Sequence, residues 1–532
     1  MAHQNYDHSE FISVRYYQGT YGCTASTYRA GTYYGFSGTP TLWFNGTHKI
    51  VGAGSSAATG EGYMGIIKGR YFDPSPIQVE IDSFNSTTGA ASVTVTMHST
   101  TASLVNEDFH IILIEDDPTV QTEPATHVTR AMYDDTITLT GAGNTATFTT
   151  TFTIDPAWIT NNLWVAAVVQ NQSQEMIQAA SSIPVPDYHL RAMVPFSRTA
   201  LGPSDSGHEF DAFTVINTGL GDNFEVSIVI DDAPAGWTVA FKDEAGTTHT
   251  DPLLFGLAAD ASTTFKAIVV PSSPGFMRCH LEFTSPNLTR PLEVPFVYIT
   301  DDVDVLIVDD DGGDAYEDYF REALDTAGKS YGVWDLSSDP LTTEVADTFT
   351  VLVWNVGFAF PTLDTTDKAF IAAFLDSGKG IFLSGQDIGW DLNANDPDPV
   401  WYHTYLHANY IRDDTNIMSL DGVPGDVITD GLDLYIAGGT GANNQEYPDE
   451  IAAADADATE ILHYTGGFCG AIRSTDSVTG AQVVYLGFGF EGIDNAQDRH
   501  DLLVPSVRWL QGIAFEDDFE SGNTNAWSNT VP

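Results

Sequence analysis

Any chemistry in this chain has to come from acids, a few histidines and three isolated thiols. The run "VDDDGGDAYED" sets Asp309, Asp310, Asp311 and Asp314 just beyond an apolar stretch. Carboxylates crowded this closely repel one another, and a bound cation relieves that repulsion. Acids at a helix start also complement its dipole and cap it, so the same residues suit a helix start equally well. A second cluster, "DLNANDPDP", places Asp391, Asn393 and Asn395 at the first, third and fifth positions of an EF-hand-type loop. The sixth position is Asp396 where such a loop needs Gly, and the twelfth is Tyr402 instead of Glu. The pattern therefore reads as an irregular Ca²⁺ loop, and Ca²⁺ is the one cofactor expected. His403 and His407 have the i, i+4 spacing of a helical zinc pair, with no Glu between them to act as a base. Cys23, Cys279 and Cys469 are odd in number and far apart, so no disulfide framework is readable.

The charge balance narrows the partners. Of 532 residues, 73 are Asp or Glu and 20 are Lys or Arg, a net charge of −53. Such a surface repels nucleic acid and anionic membranes, so neither is expected as a partner. It suits an ion-rich setting that screens the self-repulsion, and the expected location is extracellular or at the cell surface. Hydrophobic residues make up 42% of the chain, enough for several buried cores, and the length implies roughly three to five domains. No stretch reaches the roughly 18 apolar residues of a membrane helix. The start, "MAHQNYDHSEF", carries no apolar export signal. The expectation is that export is signalled elsewhere or that the chain begins downstream of its natural start. Sequons at Asn45, Asn85, Asn171 and Asn287 are compatible with secretion.

The elements that must position these residues fall into four segments and a tail. Residues 1–76 hold a predicted strand ("EFISVRYY"), a short helix, a Thr-Pro turn, and a hairpin across Asn45-Gly46. A last helix, "GEGYMGIIKGRYF", is also expected there. Residues 77–185 alternate apolar and polar residues in short runs separated by turn residues, the pattern of a β-sandwich. Residues 186–300 repeat that style and predict a second sandwich. From residue 301 the grammar changes. "VDVLIVDDD", "TFTVLVWNVG", "GIFLSGQD" and "AQVVYLGFGFEG" are continuous apolar runs alternating with helical stretches, which predicts a doubly wound α/β domain over 301–513. Residues 514–532 read as an exposed tail.

Residues 9–180 resemble the Omp28-related secreted and outer-membrane proteins, through "YYGFSGTPTLWFNG", "FHIILIEDD", "THVTRAMYDD" and "FTTTFTIDPAWITNNLWVAAVVQNQSQEMIQAA". That resemblance implies a thioredoxin-like unit followed by an immunoglobulin-like domain. It implies that Thr39-Pro40 occupies the place of a cis-proline facing a reactive disulfide. The cysteine pair would lie on a helix ahead of "EFISVRYY", so the thioredoxin-like unit is truncated and its sheet has an open edge. Cys23 comes after that strand, away from a helix start. Residues 213–275 resemble accessory sandwiches of secreted hydrolases. Residues 303–512 resemble the flavodoxin-like class I glutamine amidotransferase fold, which implies a Cys nucleophile on a strand-to-helix turn with later His and Glu. Here Ser384 stands near the nucleophile position and Glu491 near the Glu, with no His beside it. Cys469 falls on another element, and His463, His403 and His407 are candidate bases only because they share the domain.

These readings favour a non-enzymatic structural or adhesive protein, self-assembling into filaments through strand addition at the open N-terminal edge. Its partner would be itself or extracellular material. The alternatives are an enzyme, either a thiol oxidoreductase through Cys23 or an amidotransferase-like hydrolase through Ser384 and Glu491, and a glycan-binding module built on the abundant aromatics.

Overall fold

The computed structural model describes residues 11–16, 23–35, 41–51, 67, 71–72, 75–117, 125–395 and 399–512. The Thr-Pro turn at Thr39-Pro40, the greater part of the expected helix near residue 67, Asp396 and the tail lie outside the described residues.

Seven strands between Ile77 and Ser181 form a sandwich. The first, second and fifth (Ile77–Phe84, Ala90–Met97, Thr145–Thr151) make one sheet. The fourth, third, sixth and seventh (Ala125–Thr140, Ser103–Asp117, Leu163–Gln170, Met176–Ser181) make the other. This is the immunoglobulin-like arrangement with its fourth strand on the opposite sheet. Period-two alternation sends Val93, Val95, Phe109, Ile111, Val165 and Val169 into the space between the sheets. Phe109 and Phe148 stack there across the two layers. "THVTRAMYDD" and "TITLT" lie on one long strand, Ala125–Thr140, bent by bulges against its partner.

The four-stranded sheet is apolar on both faces. Its outer face presents Ile112, Ile114, Trp164, Ala166 and Val168, and Ile12 and Val14 cover them. That need for cover corrects the expectation of a strand over "EFISVRYY" in an open thioredoxin-like sheet. Arg15 makes a parallel bridge to Val128 on the sandwich's edge strand. Among the described residues the segment does not join the hairpin Thr41–Phe44/His48–Val51, which is a two-stranded sheet by itself. The hairpin turn is as expected, with Asn45 and Gly46 both at positive φ (46° and 81°). A short helix, Thr24–Tyr28, runs into a π turn at Arg29–Tyr33 and delivers Arg29 to the sheet. Arg29 is 1% exposed. Its guanidinium bonds Gln170 and lies 3.3 Å from His110 Nε2, with the Tyr33 ring 3.8 Å beneath it.

Eleven strands from Leu190 to Thr300, six in one sheet and five in the other, build the second sandwich. Its core is aromatic: Phe213, Phe224, Phe241, Phe265, Phe283 and Phe296 interlock between the sheets. Strand residues Phe276 and Ile299 cross into the next domain's core. Thr199 also donates from N and Oγ1 to Asp339 Oδ2 at 3.0 and 2.7 Å.

The last domain is built on a nine-stranded mixed sheet. Tyr331–Asp335, Val305–Asp309, Val351–Gly357, Gly380–Gly385 and Gln482–Leu486 lie side by side and parallel, in the chain order second, first, third, fourth, fifth. Helices cover both faces. Trp354 stands beside Leu383 and meets Phe370 of the helix Thr365–Asp376. Phe382 points the other way, to Phe320 of the helix Glu317–Thr326. Double coverage explains the unbroken apolar runs. The doubly wound reading holds for only part of the sheet. Beyond Gln482–Leu486 the sheet continues antiparallel through Phe468–Thr475, Ala458–Tyr464, Ser419–Gly422 and Asp433–Tyr435. The short strands hide in a stretch whose polar turns mask their period.

Truncating Arg29 to Ala should strip Gln170 and His110 of their buried partner. The expected cost is about 2 kcal/mol in local opening, seen as roughly thirtyfold faster amide exchange over residues 24–34 with the sandwich core unchanged.

Candidate functional site

Parallel strands of equal register finish together, so the residues after them share one rim. Across it Asp309, Asn355 and Ser384 are register neighbours. This is the end of an open α/β sheet where crevices form.

Ser384 is fully buried and lies inside the strand, not on a sharp turn. Its Oγ donates to the Phe488 carbonyl (3.2 Å) and accepts from the Phe490 amide (2.7 Å), tying the fourth and fifth parallel strands together. None of the expected bases turns to it. His403 Nδ1 bonds the Ala408 carbonyl, His407 pairs with Asp455 at 2.8 Å, and His463 pairs with Glu460 at 2.9 Å. His403 and His407 are thus engaged separately and do not form a metal pair. Cys469 is buried on a strand, its Sγ donating to the Ala471 carbonyl, and burial pushes its thiol up. Cys23 corrects the expectation in another way. It is the N-cap of the helix Thr24–Tyr28, and its Sγ accepts from the Ser26 amide at 3.3 Å, so it does sit at a helix start. No second cysteine accompanies it among the described residues.

Glu491 lies on the turn Phe490–Gly492 and is fully buried. Its Oε1 accepts from Asn444 Nδ2 (2.8 Å) and Gln445 Nε2 (3.1 Å), while Oε2 has no partner. Burial pushes this carboxyl above its ordinary value. A Cβ at Gly489 would stand 2.0 Å from Oε1, so glycine there makes room for the acid.

The first acid run is divided by the fold. Asp309 and Asp311 meet Glu317, which the sequence reading missed, with ligand atoms within 4.8 Å of one another. Glu317 is eight residues beyond the strand, and only the first turn of its helix brings it back. Asp311 caps the turn, accepting from the Gly313 and Tyr316 amides at 2.9 and 3.0 Å. Desolvation, then mutual repulsion, drives Asp309 well above the carboxylate range. The cluster has a resident cation: Arg278 of the second sandwich lies 3.2 Å from Glu317. Asp310 turns away and accepts from Trp354 Nε1 at 2.9 Å, and Asp314 is not in the group.

The second acid run is described only as far as Asn395, and Asp396 lies outside the described residues. Residues Trp390–Asn395 form a π turn. Asp391 is buried and accepts from the Thr362 amide (2.9 Å) and hydroxyl (3.0 Å), while Asn393 is half-buried. The donor that the sequence reading passed over is Asp387, four residues earlier. It joins Asp413 and Asp449 with ligand atoms within 4.8 Å. "GQDIGW", "IRDDT" and "YPDE" carry no spacing that links them, so no sequence signal marks this group.

No protein-family model matches the chain, and no curated protein does. Among solved structures the chain is similar to an exo-β-1,4-mannosidase from Opitutaceae bacterium strain TAV5, at 9% identity and a TM-score of 0.29. That match covers 40% of this chain and 36% of the mannosidase, so the chain spans about a third of its length. A PapD-like domain of human CEP192 (12% identity, TM-score 0.15) is covered to 89% by 22% of this chain. WR4, a C. elegans MSP family member (8% identity, TM-score 0.14), is covered to 99% by the same share. At these TM-scores neither family nor function follows. The sheets themselves establish a multidomain, β-rich chain with sandwiches and one mixed α/β sheet.

Two outcomes test this assignment. Ser384→Ala leaves a buried amide and carbonyl unpaired and should cost about 1–3 kcal/mol on denaturant unfolding. Glu491→Gln removes a buried acid whose folded-state pKa is raised. The wild-type contribution is fully present below the ordinary glutamate value of 4.5 and is lost as pH rises through the raised one. The variant's melting temperature should therefore exceed wild type by more at pH 8 than at pH 5, and a pH-independent difference would contradict a raised pKa.

Proposed function

We propose that the chain is a non-enzymatic structural or adhesive protein of the extracellular or cell-surface space, in which sandwiches and a degenerate amidotransferase-like domain act as spacers and contact surfaces. The observation that carries this reading is Ser384, whose hydroxyl is spent on the Phe488 carbonyl and Phe490 amide while His403, His407 and His463 are engaged elsewhere. The enzyme reading asks for a free nucleophile beside a base, in the amidotransferase-like elbow or in a cysteine pair at Cys23.

Three features support the amidotransferase-like ancestry of the last domain. These are the parallel order second, first, third, fourth, fifth, helices on both faces, and Glu491 after the fifth strand. The acidic surface and the fused core between the second sandwich and the α/β domain suit a stiff, salt-tolerant element. Self-assembly by strand addition is part of the proposal. The hairpin Thr41–Phe44/His48–Val51 forms a two-stranded sheet, the kind of element that strand addition from a neighbour would extend.

A second reading, glycan binding, is favoured by one feature. Phe358 and Tyr447 are both exposed at the strand-end rim and stack 6° from parallel.

Sedimentation velocity and negative-stain microscopy of the full chain, in millimolar Ca²⁺ and in chelator, decide between these. Ordered polymers are expected. Monomers at every concentration would overturn the assembly reading, and glycan-array binding lost in Tyr447→Ala would favour the second.

A further inference from the structure

We infer that Asp387, Asp413 and Asp449 form a Ca²⁺ site that ties a separate two-stranded sheet, Ala408–Arg412 with Glu450–Ala453, to the end of the fourth parallel strand. This stands independently of the function proposed above.

The fold forces the three acids together. The strands Ala408–Arg412 and Glu450–Ala453 pair antiparallel, with Arg412 opposite Glu450. Asp413 and Asp449 lie just past that last pair, and their ligand atoms fall within 4.8 Å, where like charges repel. Asp387 arrives from the strand Gly380–Gly385 and completes the group, all three offering ligand atoms within 4.8 Å of one another.

A second, separate observation points to a ligand. Asp449 is 1% exposed, and its Oδ1 has no hydrogen-bond partner. Its Oδ2 accepts from the Gly389 and Trp390 amides at 3.0 and 3.2 Å, which fixes the carboxylate in place. A Cβ on Gly389 would stand 2.8 Å from that oxygen, so the chain gives up a side chain there to keep the acid seated. Asp391 and Asp414 add their repulsion to that of the three themselves, and the neighbouring Arg412 is engaged by Glu450 at 3.1 Å. Here the group differs from Asp309, Asp311 and Glu317, where Arg278 already supplies a positive charge.

The donor chemistry selects the ion. Three carboxylates and no nitrogen or sulfur suit a hard cation. Ca²⁺ takes six to eight oxygens at about 2.3–2.6 Å in flexible geometry, which suits carboxylates held on three separate segments, whereas Mg²⁺ demands a near-ideal octahedron at about 2.0–2.1 Å. Asp413 is exposed, leaving the ion an entrance and room for water ligands.

Calorimetric titration of the chelator-treated full chain with CaCl₂, paired with melting curves, tests the site. Wild type should bind Ca²⁺ and melt higher with it. Asp413→Asn and Asp387→Asn should each weaken that binding at least tenfold, and Asp309→Asn should leave it unchanged. Because Asp413 is exposed, its variant should melt in chelator no lower than wild type, which separates lost binding from lost folding. No binding by wild type, equal binding by both variants, or loss confined to Asp309→Asn would each overturn the site.

Discussion

Five parallel strands buried on both faces have no polar side of their own, so every polar group that follows them is delivered to one rim. That constraint organises the last domain. The same apolar runs that make Val305–Asp309 and Gly380–Gly385 solid core leave Asp309, Ser384, Gln386 and Asp387 at the boundary, where the low-dielectric interior meets the crevice. An acid there is only partly solvated. It must find a backbone amide, a guanidinium, a proton or a cation.

The rim uses several of these solutions. Asp311 and Asp391 spend their oxygens on amides and hydroxyls and become structural. Glu317 takes Arg278 from the neighbouring sandwich, and that ion pair joins the apolar contact through Phe276 and Ile299 in fixing the two domains together. Gln386 is neutral and therefore free to act as a clasp: its amide holds the Asn444 carbonyl and the Glu446 and Tyr447 amides, closing the inserted segment over the strand ends. Glu491 keeps one oxygen satisfied and buries the other. What distinguishes the group of Asp387, Asp413 and Asp449 is that, among the described residues, none of its carboxylates has an ion pair, and the neighbouring Arg412 is taken by Glu450.

The opposite end of the chain shows the same economy in a different medium. The first sandwich has a sheet with two apolar faces, and residues 11–16 together with the helix Thr24–Tyr28 cover the outer one through Ile12, Val14 and the buried guanidinium of Arg29. The thiol at Cys23 is used there as a helix cap. The Asn45-Gly46 hairpin keeps its form because its two positive φ values are written into those two residues.

The sequence alone determined whatever depends on local period and composition. The sandwiches follow from alternation, the parallel strands from unbroken apolar runs, and the hairpin from Asn-Gly. Tertiary structure alone decided which carboxylates meet. Asp309 and Asp310 are adjacent in sequence yet face opposite sides, because a strand's period of two sends neighbours apart. Asp387, Asp413 and Asp449 are remote in sequence yet share one spot, because the end of the two-stranded pair Ala408–Arg412/Glu450–Ala453 lies against the end of the strand Gly380–Gly385. Ser384 looked like a nucleophile by position. Only the approach of the fifth strand's end, with an amide and a carbonyl in need of a partner, turned it into a cross-link. Local pattern is written residue by residue, whereas the meeting of charges is set by how the strands are ordered.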